Sequence, residues 1–150
     1  MSHICLFGIM IFGSGVLVGC DTSISDRNIR FMPGERVQVL WARQQKTDGT
    51  AIFVDPRSGK KFASGHIAGA QNIKLPQVPK GAPIDPTIGR YDNIIVYGLN
   101  PGDVAARAMT KRLLTNKYGG VWLYSGGLQE WQQQGGEVEV SELETQEQSR

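Results

Sequence analysis

The stretch Ile94-Ile95-Val96-Tyr97-Gly98-Leu99-Asn100-Pro101-Gly102-Asp103-Val104-Ala105 restricts the fold of this chain more than any other. A short, continuously apolar run passes through a Gly/Asn/Pro/Gly turn into an Ala-rich segment. Unbroken apolarity suits a strand buried on both faces, as in a parallel sheet covered by helices. At such a strand–turn–helix a ligand meets the carboxyl end of the strand, backbone N–H groups and the positive end of a helix. Position 98 is where a nucleophile or an anion would sit, and glycine occupies it.

The remaining pattern agrees with one α/β domain, for which 150 residues are enough. Pro33-Gly34 opens a helix from about Glu35 to Gln45, with Val37, Leu40 and Trp41 at helical spacing. Lys46 to Gly49 is a turn signal, and Ala51 to Asp55 a buried strand. Gly59 to Ser64 allow one helical turn, and Ala70 to Leu75 a short strand. Gln77 to Tyr91, with three prolines and two glycines, reads as a surface loop. After the strand Asn93–Tyr97 comes a helix from Asp103 to about Asn116. Its inward stripe is Ala105, Met109 and Leu113, and Arg107, Lys111 and Arg112 are its polar positions. Gly120 to Tyr124 is a further strand, Gly126-Gly127 lead a helix through Trp131, and Gly135-Gly136 end it. Strands alternating with helical segments predict a parallel sheet. Residues 141–150, rich in Glu and Gln, read as a polar, frayed tail. A formal net charge of +2, with scattered Lys and Arg, argues for neither nucleic-acid binding nor an acidic partner, and no nucleic acid is expected.

The amino terminus carries a separate signal. Ile4 to Val18 are almost purely apolar but would span only roughly 22 Å as a helix, short of the roughly 30 Å hydrocarbon core. Leu17-Val18-Gly19-Cys20, followed by polar Asp21-Thr22-Ser23, resembles the lipobox of bacterial lipoproteins. That resemblance implies a signal peptide over residues 1–19, a lipidated Cys20, a tether over 20–34 and a folded domain over 35–140. It places the protein in the bacterial cell envelope, anchored through Cys20, and Asp21 implies the inner membrane facing the periplasm. The n-region holds no Lys or Arg, which departs from the usual signal pattern, and an uncleaved short anchor is the alternative. Cys5 and Cys20 are the only cysteines, so the mature domain would have neither a free thiol nor a disulfide.

Asp55-Pro56-Arg57, then Phe62, then Gly65-His66-Ile67-Ala68-Gly69-Ala70-Gln71-Asn72-Ile73 resembles the rhodanese homology domain. Gly126-Gly127-Leu128-Gln129-Glu130-Trp131, with Gly135-Gly136, is similar to the closing signature of that family. The resemblance covers about Val37 to Val138 and implies a three-layer α/β/α domain around a central parallel sheet. It also implies that Gly98 matches the position of the catalytic cysteine, whose thiolate accepts a sulfane sulfur as a persulfide in active members. Basic residues often help bind the anionic donor there, whereas Leu99, Asn100 and Pro101 supply no positive charge and Asp103 supplies a negative one. Lys61 stands where an acid usually precedes the aromatic, so a pairing of Arg57 with that acid is not carried over.

The remaining candidates divide between chemical and structural roles. Gly98 either lets the backbone approach a ligand closely or only completes the turn. Asp103 is a general base or an N-cap, and His66 an acid/base group or a structural hydrogen-bonding residue. Asp55, Arg57 and Gly65 hold the loop and the sheet edge together, and Trp122 and Trp131 read as core. Lys60-Lys61 and Arg107-Lys111-Arg112 either touch anionic headgroups or are solvated faces. Ser125 lacks the spacing of a hydrolytic triad, and two histidines leave a metal site little to work with. No cofactor is implied.

No cysteine follows Cys20, whatever the alignment of the loop. The expectation is a membrane-anchored module, inactive as a sulfurtransferase, with the loop Gly98, Leu99, Asn100, Pro101, Gly102, Asp103 and Val104 open to a protein partner or a small anion. The alternative is a sulfurtransferase component acting with the cysteine of a partner. The phosphatase relatives of the fold need a cysteine and a loop arginine, and neither is present.

Overall fold

The computed structural model describes residues 24–46 and 49–141. The readings of residues 1–19 as a signal peptide, of Cys20 as a lipid site and of 142–150 as a tail lie outside the described residues. After a 3-10 turn at Asp26–Asn28 come α1 (Gly34–Gln44), β1 (Ala51–Asp55), α2 (Gly59–Ala63), β2 (His66–Ile67) and β3 (Gln71–Asn72). A second 3-10 turn, Leu75–Gln77, leads to α3 (Pro86–Gly89), β4 (Asn93–Tyr97), α4 (Val104–Thr115), β5 (Val121–Tyr124), α5 (Gly127–Gln133) and β6 (Val138–Glu139).

Four parallel strands form the central sheet in the order β3-β1-β4-β5, with Ile52 beside Ile94, Val54 beside Val96 and Tyr97 beside Tyr124. Because successive side chains alternate across a strand, each apolar run feeds two cores. Ile52, Val54, Ile94, Val96, Val121 and Leu123 pack on one face with Ala106, Met109 and Leu113 of α4. Ala51, Phe53, Ile95, Tyr97 and Tyr124 pack on the other with Val37 and Leu40 of α1 and Leu128 and Trp131 of α5. The result is the expected three-layer α/β/α arrangement. Among the described residues no helix is long and apolar enough to cross a membrane.

Several local expectations are corrected. The strand predicted over Ala70 to Leu75 shrinks to Gln71–Asn72, and β2 pairs antiparallel with β6 in a separate ribbon that no pattern suggested. The stretch read as a surface loop contains α3, and Val78 and Ile88 are buried in it. On α4 the inward residue is Ala106 rather than Ala105, joined by Thr110, whose hydroxyl donates to the Ala106 carbonyl at 2.8 Å. Residues read as tether belong partly to the domain: Ile29 and Met32 are buried, and Phe31 bridges to Leu123 beside the β5 edge. Trp122 is only half-buried.

Met109 has no exposed surface. Replacing it with Ala should cost about 2–5 kcal/mol in chemical denaturation through the cavity left behind. Val104→Ala, at a residue 77% exposed, should stay within about 0.5 kcal/mol of the parent.

Candidate functional site

The carboxyl ends of β1 and β4 meet in a buried polar cluster. Asp55 ends β1, and the chain returns on itself so that Arg57 faces it. The Arg57 Nε donates to both Asp55 carboxylate oxygens at 2.9 and 3.0 Å, and Nη2 donates to Oδ2 at 2.6 Å. The Arg57 amide also donates to Asp55 Oδ1, and Nη2 donates to the Gly65 carbonyl at 2.8 Å. Asn72 of β3 closes the turn from the side, its Nδ2 donating to the carbonyls of Asp55 and Arg57, both at 2.8 Å. Burial opposes the Arg57 charge, but the hydrogen bonds and charge of Asp55 outweigh it, aided by Tyr97 and Asp103. The net effect holds the guanidinium above its ordinary pKa and therefore charged.

Tyr97 ends β4 in the same cluster. Its hydroxyl accepts from the Ile67 amide at 3.0 Å. Burial, then the neighbouring Asp55 charge, push the phenol far above its usual range, so it stays neutral. His66 lies on β2 beside the cluster. Its Nδ1 is 2.9 Å from the Phe62 carbonyl, its ring stacks on Phe62 with centroids 3.6 Å apart, and its Nε2 is 3.3 Å from Glu139. These contacts clamp the β2–β6 ribbon and give His66 a structural place. Trp131 packs in the α1–α5 layer, and its indole donates to the Glu137 carbonyl at 2.8 Å.

The loop that follows Tyr97 is filled from within. Asp103 is the N-cap of α4, one carboxylate oxygen accepting from the amides of Ala105 and Ala106 at 2.9 and 3.2 Å. Its second oxygen reaches back across the loop to accept from the Leu99 amide at 2.9 Å. The Gly102 amide goes to the Asn100 side chain and the Asp103 amide to the Asn100 carbonyl. Pro101 has no amide hydrogen to offer. The Leu99, Gly102 and Asp103 amides thus already bond to acceptors inside the loop, the first of them to a carboxylate of the chain itself. The two neighbouring carbonyls are also taken, since Leu128 and Gln129 at the start of α5 donate to Gly98 and Leu99, both at 2.9 Å.

Two glycines permit this packing. A Cβ at Gly98 would collide with the Asp103 Cγ and Cβ and lie 2.6 Å from its Oδ2, so any side chain there displaces the cap. Gly127, at φ +62°, has the left-handed conformation, and a Cβ on it would fall 2.6 Å from the Gly98 carbonyl oxygen. Around the filled loop, Leu99 and Val104 remain exposed, as do Pro101 and Gly102. The clefts of about 270 Å³ beside Gln44, Gly49, Arg90 and Tyr91, and of about 380 Å³ between Trp41 and Trp131, both lie away from the loop. Among the described residues no three His, Cys, Asp or Glu side chains gather as a metal would require.

Of the residues singled out in the sequence, Asp55, Arg57 and Gly65 form one bonded cluster with His66 beside it, and residues 98–104 form the adjoining loop. Lys111 is engaged with Asp26 at 2.6 Å, and the Arg112 Nη1 donates to the Val78 carbonyl, so neither is a free headgroup ligand. Tyr97 and Asn72 were missed as members of the cluster. Their signal was positional, since each ends a strand beside the Asp55–Arg57 turn.

The family model described as the rhodanese-like domain matches residues 38–134. Among solved structures, a protein of Bacillus halodurans is similar at 19% identity and a TM-score of 0.59, over 77% of this chain and 80% of that one. The rhodanese-like domain of an Anabaena protein is similar at 20% identity and a TM-score of 0.53, over 80% and 85% of the two chains. A thiosulfate sulfurtransferase of Pseudomonas aeruginosa is similar at 17% identity and a TM-score of 0.56, over 77% of this chain and 21% of that one. At these identities the likeness is one of fold. No curated protein matches the sequence.

Two variants test the geometry of the filled loop. Asp103→Ala should cost about 0.5–2 kcal/mol by loss of the cap, and Gly98→Ala a similar amount by displacing it. Because both act on one contact, the double variant should be less destabilised than the sum of the two, by about 0.5 kcal/mol or more in a denaturation cycle. Removing the other support is more severe. Arg57→Ala leaves Asp55 buried without its partner and should cost about 3–5 kcal/mol.

Proposed function

We propose a function for this chain, which belongs to the rhodanese-like domain family, from the end of its sheet: it is a membrane-tethered binding or accessory module of the bacterial envelope that does not itself transfer sulfur. One observation carries the reading. Gly98 stands where family resemblance puts the sulfur-accepting cysteine, and the Asp103 carboxylate bonds to the loop amide that would face such a group. Sulfur transfer through a persulfide needs a thiolate that attacks a sulfane sulfur and expels sulfite. No cysteine follows Cys20, and the loop presents a carboxylate to an anionic donor. The frame that shapes the loop is intact, so the module retains a rigid surface with Leu99, Pro101 and Val104 on its outer side, a place for a protein partner to dock. Because the Leu99, Gly102 and Asp103 amides are occupied and Asp103 is acidic, a protein partner fits this surface better than a small anion. Tethering is supported by Leu17-Val18-Gly19-Cys20 and by the polar residues after it.

Thiosulfate and cyanide supplied to the full chain should yield thiocyanate no faster than the uncatalysed mixture. Robust turnover overturns the reading, and turnover that appears only with a cysteine-bearing sulfur carrier replaces it with the shared-cysteine alternative. The loop can also be reopened. Gly98→Cys alone should take up no sulfur from thiosulfate, because its side chain collides with Asp103. Gly98→Cys combined with Asp103→Ser, which keeps a capping hydroxyl, should gain one sulfur atom by mass spectrometry. For the tether, the mass of native Cys20 decides: an unmodified, unprocessed amino terminus removes the lipid anchor and leaves the uncleaved apolar segment as the alternative.

A further inference from the structure

We propose that the β5 edge of the domain, presenting Arg30, Phe31, Arg36, Val39 and Trp122, is a docking surface for an anionic phospholipid bilayer. The geometric part of the proposal rests on the reading of Cys20 as a lipid anchor. The segment before α1 runs along β5, held by Leu123 N donating to the Arg30 carbonyl at 2.9 Å and Met32 N donating to the Leu123 carbonyl at 3.0 Å. Ile29 and Met32 turn inward, leaving Arg30 exposed and Phe31 50% exposed. Both Arg30 and Arg36 lie over the half-buried indole of Trp122, their guanidinium carbons 4.2 and 5.3 Å from its ring centroid. Two like charges are thereby gathered on one aromatic face. On the outer side of α1, Val39 is 50% exposed three residues after Arg36, one helical turn along the same face.

Arginine, tryptophan and exposed apolar side chains together suit the headgroup layer of a bilayer, where amphipathic rings settle and basic residues meet anionic lipids. The nearby acids do not cancel the patch. Asp26 is engaged by Lys111, and Glu130, beside Gly34, accepts from the Gln134 side chain, which leaves exposed Glu35 at the start of α1 as the acid in the same stretch. Chain length adds a second argument. Ile24 follows Cys20 by four residues, at most about 14 Å of extended chain, so an acyl group on Cys20 brings this edge to the membrane. The other basic candidates fit less well. Arg112 donates to the Val78 carbonyl, and the α2 pair Lys60-Lys61 has no exposed large apolar side chain in its helix.

The full chain with Cys20→Ser, which cannot be acylated, is sedimented with vesicles of phosphatidylcholine alone and of phosphatidylcholine mixed with phosphatidylglycerol. The neutral vesicles read whatever residues 4–18 contribute. The proposal expects the anionic vesicles to be preferred, and Arg30→Glu with Arg36→Glu to lose that preference by about fivefold or more per arginine. Lys60→Glu with Lys61→Glu, an equal charge change elsewhere, should stay within about twofold of the parent. Should the reversed pair melt below the parent, Arg30→Gln with Arg36→Gln gives the same reading with less perturbation. Equal binding to both vesicle types, or equal losses in the two charge-reversed pairs, overturns the proposal. The mass of native Cys20 keeps the two ideas apart. A lipidated Cys20 without anionic preference sinks the surface, whereas an unmodified Cys20 with the preference intact sinks the tether and leaves the surface.

Discussion

The buried pair of Asp55 and Arg57 holds the carboxyl end of the sheet together. An isolated charge at that depth would be severely penalised, so each partner is stable only with the other in place and with its remaining hydrogen-bonding groups satisfied. That requirement recruits the surroundings. The guanidinium reaches the Gly65 carbonyl, and Asn72 takes the carbonyls on either side of the turn. Tyr97 accepts the Ile67 amide beside the same carboxylate. β1, β3 and β4 and the start of the β2 ribbon therefore converge on one ion pair, which makes the platform beneath the loop rigid.

On that platform the loop after β4 has a second closed arrangement. Arg57, already paired with Asp55, also lies within the field of Asp103, which helps to hold the guanidinium charged. The Asp103 carboxylate is used twice, capping α4 and bonding the Leu99 amide. Gly98 and Gly127 are the places where backbone and side chain come too close for a Cβ. The acceptor for the Leu99 amide is thus supplied by the chain itself. On the proposed reading, a domain of this family built in this way keeps its scaffold and surface without the sulfur-accepting centre.

Long elements were legible from the sequence because they carry redundant signals. Ala51 to Asp55 and Asn93 to Tyr97 are apolar throughout, as burial on both faces demands, and α4 begins with a capping acid. Weaker elements were not. His66–Ile67 and Val138–Glu139 pair over two residues each, too short for any periodicity, and Ile29 and Met32 sit in polar surroundings that hide their burial. Trp122 read as core because tryptophan usually is; it lies in an edge strand, packs against the core on one side and is covered by arginines on the other. At the site, the glycine at 98 and the cap at 103 were both visible. That the same carboxylate also reaches Leu99 was not, since it depends on how the loop folds back rather than on any spacing.

The central claim of the proposed reading is that Asp103, by taking the Leu99 amide and the first amides of α4, closes the loop to a sulfur-bearing anion. The most direct measurement follows the backbone amide resonances of Leu99, Ala105 and Ala106 in the full chain by NMR as thiosulfate is added, with an equal ionic strength of sodium chloride as the reference. The account predicts that the three resonances move no further with thiosulfate than with chloride. A saturable shift at Leu99 specific to thiosulfate would show an open anion site and contradict it.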